Sequence, residues 1–120
     1  MMIKKVEELV GIDRETIRFY IREGLLAPEQ LKNRYREYTA DDISQIKRIR
    51  VLRKMGMSIP EIRAVFNKDM EFDVALKESK EKLQKKQEEL SASMKACDEL
   101  MGSDPKEFDP LPYYSEENDE

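Results

Sequence analysis

Apolar residues recur at helical spacing along most of this chain, interrupted by glycines and by residues that cap helix ends. Val6, Leu9 and Val10 mark a short first helix, which Gly11 breaks. Asp13 is placed to cap a second helix carrying Ile17, Tyr20 and Ile21, which ends at Gly24 before Leu25, Leu26 and Pro28. Two helices joined by a tight glycine-containing turn make a helix-turn-helix unit. Thr39 and Asp42 are spaced as a capping pair for a third helix, with Ile43, Ile46, Ile49 and Leu52 as its apolar face and Gly56 at its end. Ser58-Ile-Pro-Glu61 matches the capping box more closely and opens a fourth helix, with Ile59, Ile62, Val65 and Phe66 facing inward.

The last helix has a different period. Leu76, Leu83, Leu90 and Cys97 fall seven residues apart, a heptad seam running from about Asp73 to Met101, where Gly102 and Pro105 stop it. Its other seam positions are Lys80, Gln87, Met94 and Met101, so the first half of the seam is polar. At 1.5 Å per residue such a helix is roughly 40 Å long. A helix so thin in apolar residues is unstable alone and needs a partner. The expected partner is a second copy through Leu76, Leu83, Leu90, Met94, Cys97 and Met101; folding back on its own domain is the alternative.

Composition narrows the function. The 120 residues suffice for one small domain plus an appendage, and charged residues make up 40% of them, with a mean hydropathy of -0.77. No apolar run approaches membrane-spanning length and no signal-peptide core is visible, so a cytoplasmic protein without a membrane partner is expected. The single Cys97 excludes an internal disulfide framework, and the absence of histidine removes histidine-based metal sites and acid-base catalysis. No cofactor, metal site or catalytic constellation is evident, and an enzyme is not expected.

Charge is partitioned along the chain. Residues 1–65 hold 14 Lys/Arg against 10 Asp/Glu, whereas residues 66–120 hold 8 against 16, and every arginine lies in the first 65. Arginine suits bidentate contacts to phosphate and guanine; lysine suits a solvated helix surface. Arg14, Arg18 and Arg22 recur every four residues and form one stripe on the second helix, apart from Ile17 and Ile21. Taken alone, such a stripe is equally consistent with an ordinary solvated face. Its place on the second helix of a helix-turn-helix favours the major groove of DNA, because that helix is the one such units insert.

The segment Asn33-Arg-Tyr-Arg-Glu-Tyr38 supports the same reading. If residues 34–38 are extended, Arg34, Arg36 and Tyr38 project to one side and Tyr35 and Glu37 to the other. Two guanidiniums and a phenol match a phosphate backbone, which positions a protein without reading sequence. Tyr35 is expected to pack on the helices, and Arg36 and Tyr38 to stay free.

The runs "VEELVGIDRETIRFYIREGLLAP" and "NRYREYTADDISQIKRIRVLRKMGMSIPEI" resemble the DNA-binding domain of the MerR family of bacterial transcriptional regulators, over about residues 3 to 66. The resemblance rests on the ordered motifs Thr-Ile-Arg-Phe-Tyr, Gly-Leu-Leu-x-Pro, Tyr-Arg-x-Tyr and Leu-Arg-x-Met-Gly-Met-Ser. It implies a mostly α protein: a winged helix-turn-helix domain (1–70), a dimerisation helix forming an antiparallel coiled coil in a homodimer (71–102), and here an acidic tail (103–120). By position, Arg14, Thr16, Arg18 and Tyr20 would serve the recognition helix, Arg36 and Tyr38 the first wing, and Arg53 the second. Phe19 stands where tyrosine is frequent, Arg34 where glycine is frequent, and Val10 where alanine is usual. The resemblance further implies double-stranded promoter DNA as partner, an inverted-repeat operator whose spacer is distorted, and an indirect effect on RNA polymerase.

No effector is named by the sequence. Metal-responsive relatives place cysteines near the start of the dimer helix and in a following loop, and Cys97 lies near its far end, as a small apolar seam residue. The tail carries three prolines, seven acidic residues and the apolar Phe108, Leu111, Tyr113 and Tyr114, a composition usually disordered. Docking of these four on the coil or the partner, with the acidic end competing with DNA, is the sharper alternative. An architectural or phage-type DNA binder of the same fold and a coiled-coil interaction module remain as other classes.

Overall fold

The computed structural model describes residues 1–114. In chain order it contains α1 (Ile3–Val10), α2 (Arg14–Arg22), β1 (Glu29–Gln30), β2 (Arg36–Glu37), α3 (Ala40–Lys54), α4 (Ile59–Phe66) and α5 (Phe72–Leu100). Contacts divide the chain into Met1–Leu83 and the residues from Gln84 on, so the division falls inside α5.

The N-terminal unit is organised by local signals that the sequence states plainly. Gly11, at φ 68°, ends α1 and donates its N–H to the Glu7 carbonyl. The Asp13 carboxylate accepts from the Thr16 N–H at 2.8 Å and starts α2. Complete capping boxes open α3 (Thr39 with Asp42) and α4 (Ser58 with Glu61). These caps set the phase of each helix, and the phase turns Val6, Ile17, Ile46, Ile49, Met57 and Ile62 into one core where each is essentially sealed from solvent. Each such side chain contributes about 1.5–3 kcal/mol by leaving water.

The first turns of α5 belong to this unit. Ala75 and Ser79 are buried and Leu76 packs against the same core. Leu76 therefore faces its own domain, which corrects its assignment to the dimer seam: the apolar period begins one heptad before the helix leaves the body.

The two short strands form an antiparallel hairpin with Glu29 opposite Glu37 and Gln30 opposite Arg36. The Leu31 N–H donates to the Tyr35 carbonyl (2.7 Å) and the Arg34 N–H to the Leu31 carbonyl (3.1 Å), leaving a three-residue loop, Lys32-Asn33-Arg34. Such loops combine a tight turn with a left-handed third residue, usually glycine. Here it is Arg34, at φ 70°, a backbone conformation that costs a residue with a Cβ about 1 kcal/mol. Tyr38 is buried, at 2% exposure, and Tyr35 is open, at 58%: the two tyrosines stand on opposite sides as the alternation requires, but the side that packs on the body is that of Tyr38, the reverse of the expected packing. The Met1 amino group donates to the Tyr38 carbonyl and to Glu37 Oε1 (2.7 Å each), and the Tyr38 N–H donates to the Met1 carbonyl, so Tyr38 is fixed by the start of the chain.

In the second unit, Leu90, Met94 and Cys97 lie exposed along α5, and Met101 follows its end, also exposed. Gly102 turns the chain at φ 85°. Residues 103–114 then form successive turns, contrary to the disorder expected from their composition. Asp104 and Asp109 side chains accept from the N–H groups of Lys106 and Leu111, and the Pro110 carbonyl accepts from Tyr113 and Tyr114. The Tyr113 hydroxyl donates to Glu99 Oε2 at 2.8 Å, tying the tail to its own helix. The acidic residues from 116 on, to which the alternative of competition with DNA is assigned, lie outside the described residues.

Candidate nucleic-acid interface

α2 and the hairpin meet at a notch of about 70 Å³ lined by Met2, Ile3, Arg18, Arg34, Tyr35, Arg36 and Tyr38. Ile17 and Tyr20 anchor α2 in the core, which turns Arg18 to the half-buried edge facing the hairpin. The Tyr38 ring forms part of the core. Its hydroxyl makes no hydrogen bond among the described residues and, with the whole residue 2% exposed, keeps only a sliver of solvent contact at the notch. Burial pushes the Tyr38 phenol above its ordinary pKa, while the nearby Arg36 and Arg18 guanidiniums, in that order, pull it back. The notch thus offers a neutral O–H donor beside positive charge from two different elements.

The arginines divide into those spent on the fold and those left over. Arg14 forms a forked contact with Glu7 of α1, Nε and Nη2 donating to Oε1 at 3.0 and 2.8 Å, while its backbone N–H donates to Oε2. The Arg14 side-chain hydrogen bonds hold the Glu7 carboxyl below its usual range, with the backbone N–H adding less. Arg53 donates to the Met57 carbonyl at 2.8 Å and secures the turn between α3 and α4. Arg63 donates from Nε and Nη2 to the Glu23 carbonyl and carboxylate, both at 2.7 Å, joining α4 to the end of α2. Arg22 lies 5.9 Å from the centroid of the Phe19 ring. Arg18 has only an exposed pairing with Glu15, of little energetic weight. Arg34 and Arg36 have no acidic partner among the described residues.

Residues 1–69 match the family described as MerR HTH family regulatory protein. The chain belongs to the MerR family. It is therefore a DNA-binding transcriptional regulator, of a family of regulators and not of enzymes. It is 30% identical over 100 residues to the HTH-type transcriptional regulator HmrR of Rhizobium leguminosarum bv. viciae, covering 83% of this chain and 78% of that protein. Among solved structures it resembles MtaN, the N-terminus of the Bacillus subtilis multidrug transporter activator (TM-score 0.70, 25% identity, covering 86% of this chain and 99% of that one). It also shares its fold with HiNmlR, a MerR family regulator lacking the sensor domain and bound to promoter DNA (TM-score 0.64, 22% identity, covering 83% and 86%).

Of the residues expected from the sequence to face DNA, the structure brings together Arg18, Arg34, Arg36 and Tyr38. Tyr20 is not with them: it is 6% exposed and packs in the core, because two residues on from Arg18 it lies about 200° around the helix, on the opposite face. Thr16 is half-buried, its N–H used by the Asp13 cap. Arg14 and Arg53 are engaged with the fold, and Arg22 lies beyond the notch lining. The Arg63–Glu23 and Arg14–Glu7 pairs are not legible in the sequence. Partners 40 and 7 residues apart leave no periodic signal, and only the fold brings them into reach. Among the described residues no group of His, Cys, Asp or Glu could hold a metal ion, and no helix is long and apolar enough to cross a membrane.

Proposed function

We propose that this MerR protein binds an inverted-repeat promoter operator as a homodimer, acting in the cytoplasm. Residues 1–70 form the DNA-binding domain, residues 71–102 the dimerisation helix and residues 103–120 a tail. α2 enters the major groove with Arg18 at base edges, while Arg36 and the Tyr38 hydroxyl hold a phosphate and fix the register. The carrying observation is that Arg18 and Arg36, from separate elements, line one notch with Tyr38, with Arg36 free of an acidic partner among the described residues. Pairing of α5 with a second copy through Leu83, Leu90, Met94, Cys97 and Met101 doubles this surface. Two half-sites held by one dimer allow backbone contacts to bend and untwist the spacer, and RNA polymerase then responds to the altered DNA.

Arg18→Ala should relax base preference. Arg36→Ala should weaken binding to all sequences equally and lower the salt slope by about one unit. Titration of both variants against operator and scrambled duplexes at two salt concentrations checks this, and equal loss of specificity from both substitutions refutes the division of roles.

A further inference from the structure

Residues 103–114 combine a fixed backbone with exposed apolar side chains. Asp104-Pro105 and Asp109-Pro110 make the same turn twice: each aspartate side chain accepts an N–H from two residues on, Lys106 at 2.8 Å and Leu111 at 3.1 Å. A second bond closes each turn, from the Phe108 N–H to the Asp104 carbonyl and from the Tyr114 N–H to the Pro110 carbonyl. Pro105, Pro110 and Pro112 fix φ along the segment, so little backbone freedom is left to lose when something binds it. Yet the turns bury little: Leu111 is 76% exposed, Tyr114 62%, Tyr113 39% and Phe108 38%. Large apolar side chains grouped in this way on a surface mark a contact site.

The tie to α5 decides on which side of that helix the surface lies. The Tyr113 hydroxyl donates to Glu99 Oε2, and the other oxygen of that carboxylate faces Lys95 Nζ at 3.9 Å. With 3.6 residues per turn, Glu99 stands about 140° to 200° around the helix from Leu90, Met94 and Cys97. The tail is therefore attached behind the seam, and a second copy on the seam does not compete with it for the same face. Charge then selects the occupant. Residues 103–120 hold seven acidic residues and one lysine. Like charge repels both DNA phosphate and another tail, so the patch fits a protein that carries cations around an apolar depression. Proteins that meet this chain on a promoter bind DNA themselves and carry cationic surface for that purpose, and RNA polymerase is the one every promoter brings there.

We propose that the tail patch of Phe108, Leu111 and Tyr114, flanked by acidic residues, docks directly on a cationic face of RNA polymerase. This rests on the DNA-binding reading above and adds to it: polymerase is reached by direct contact as well as through distorted DNA.

The test immobilises a duplex that keeps the operator half-sites and has its promoter elements scrambled, so that polymerase is retained only through the protein. RNA polymerase holoenzyme purified from the same cells is passed over the full-length chain on this duplex, and over a variant carrying Leu111→Ser and Tyr114→Ser. Both side chains are largely exposed, so the unfolding midpoint and operator affinity of the variant should equal the parent's. Retention of polymerase should fall on the order of tenfold, the loss typical of interface anchors. Equal retention by parent and variant, or no retention by the parent, overturns the contact. Tighter operator binding by the variant with unchanged retention also overturns it, and assigns the tail to competition with DNA. A parent that binds the operator no better than a scrambled duplex defeats the DNA-binding reading itself, a result seen before polymerase is added.

Discussion

Ile46, Ile49 and Ile62 of the N-terminal unit are entirely shielded from solvent, whereas Leu90, Met94 and Met101 of the second unit are 66% to 73% exposed. Both sets are apolar and both sit at regular helical spacing. In the first, three- and four-residue intervals wrap a broad face onto neighbouring helices that the same chain supplies. In the second, seven-residue intervals leave a narrow seam, which among the described residues stays open to solvent. A helix with such a seam is completed by another helix of the same kind. Folding is thus self-contained in the body, while the second half of α5 depends on association.

The comparison can be broken most directly at the core. Ile46→Ala should cost about 2–5 kcal/mol, enough to unfold much of the body, seen as a large drop in the denaturant midpoint. Leu90→Glu addresses the other side. It should leave the helical signal and core of the body in place while raising the dimer dissociation constant at least about tenfold, measured by sedimentation equilibrium. A Leu90→Glu protein that remains fully dimeric would mean that the seam is not the interface.

Two smaller effects sharpen the account of how the body is held. Arg63→Ala removes the latch from α4 to the end of α2; the pair is partly solvent-screened, so the expected loss is about 1 kcal/mol in unfolding free energy. The Glu7 and Asp13 carboxyls are both held below their usual range, Glu7 chiefly by the Arg14 side chain and Asp13 by the Thr16 N–H. A carboxyl whose folded pKa is depressed adds stability above its unfolded value, and that stability is lost as pH falls. Stability should therefore decline on acidification below about pH 4, and less steeply in Glu7→Gln. An identical acid profile for that variant would remove Glu7 from the account.

The parts of the fold legible in the sequence are those fixed within a few residues. Thr39 with Asp42, Ser58 with Glu61, and the terminating Gly11 and Gly102 each act within one turn, and the inward face of α3 follows from its cap. The hairpin was misread because its phase is set from elsewhere. The backbone of Met1, 37 residues away, pins Tyr38 inward. For the same reason α2 could be recognised from its arginine stripe, but which arginines remain free could not: Arg14, Arg53 and Arg63 are occupied by groups that only the tertiary fold brings near. Leu76 matched the heptad by spacing and was claimed by the body because the helix is still docked there.

The central claim is that two copies, joined through the exposed seam, present paired arginine edges to one duplex. It is tested most directly by measuring the mass of the complex between the purified protein and the DNA upstream of its own gene, against a scrambled duplex, at two salt concentrations. The account predicts two chains per duplex, with selective binding that persists at the higher salt. A single chain per duplex, or equally weak binding to both duplexes at both salts, would contradict it.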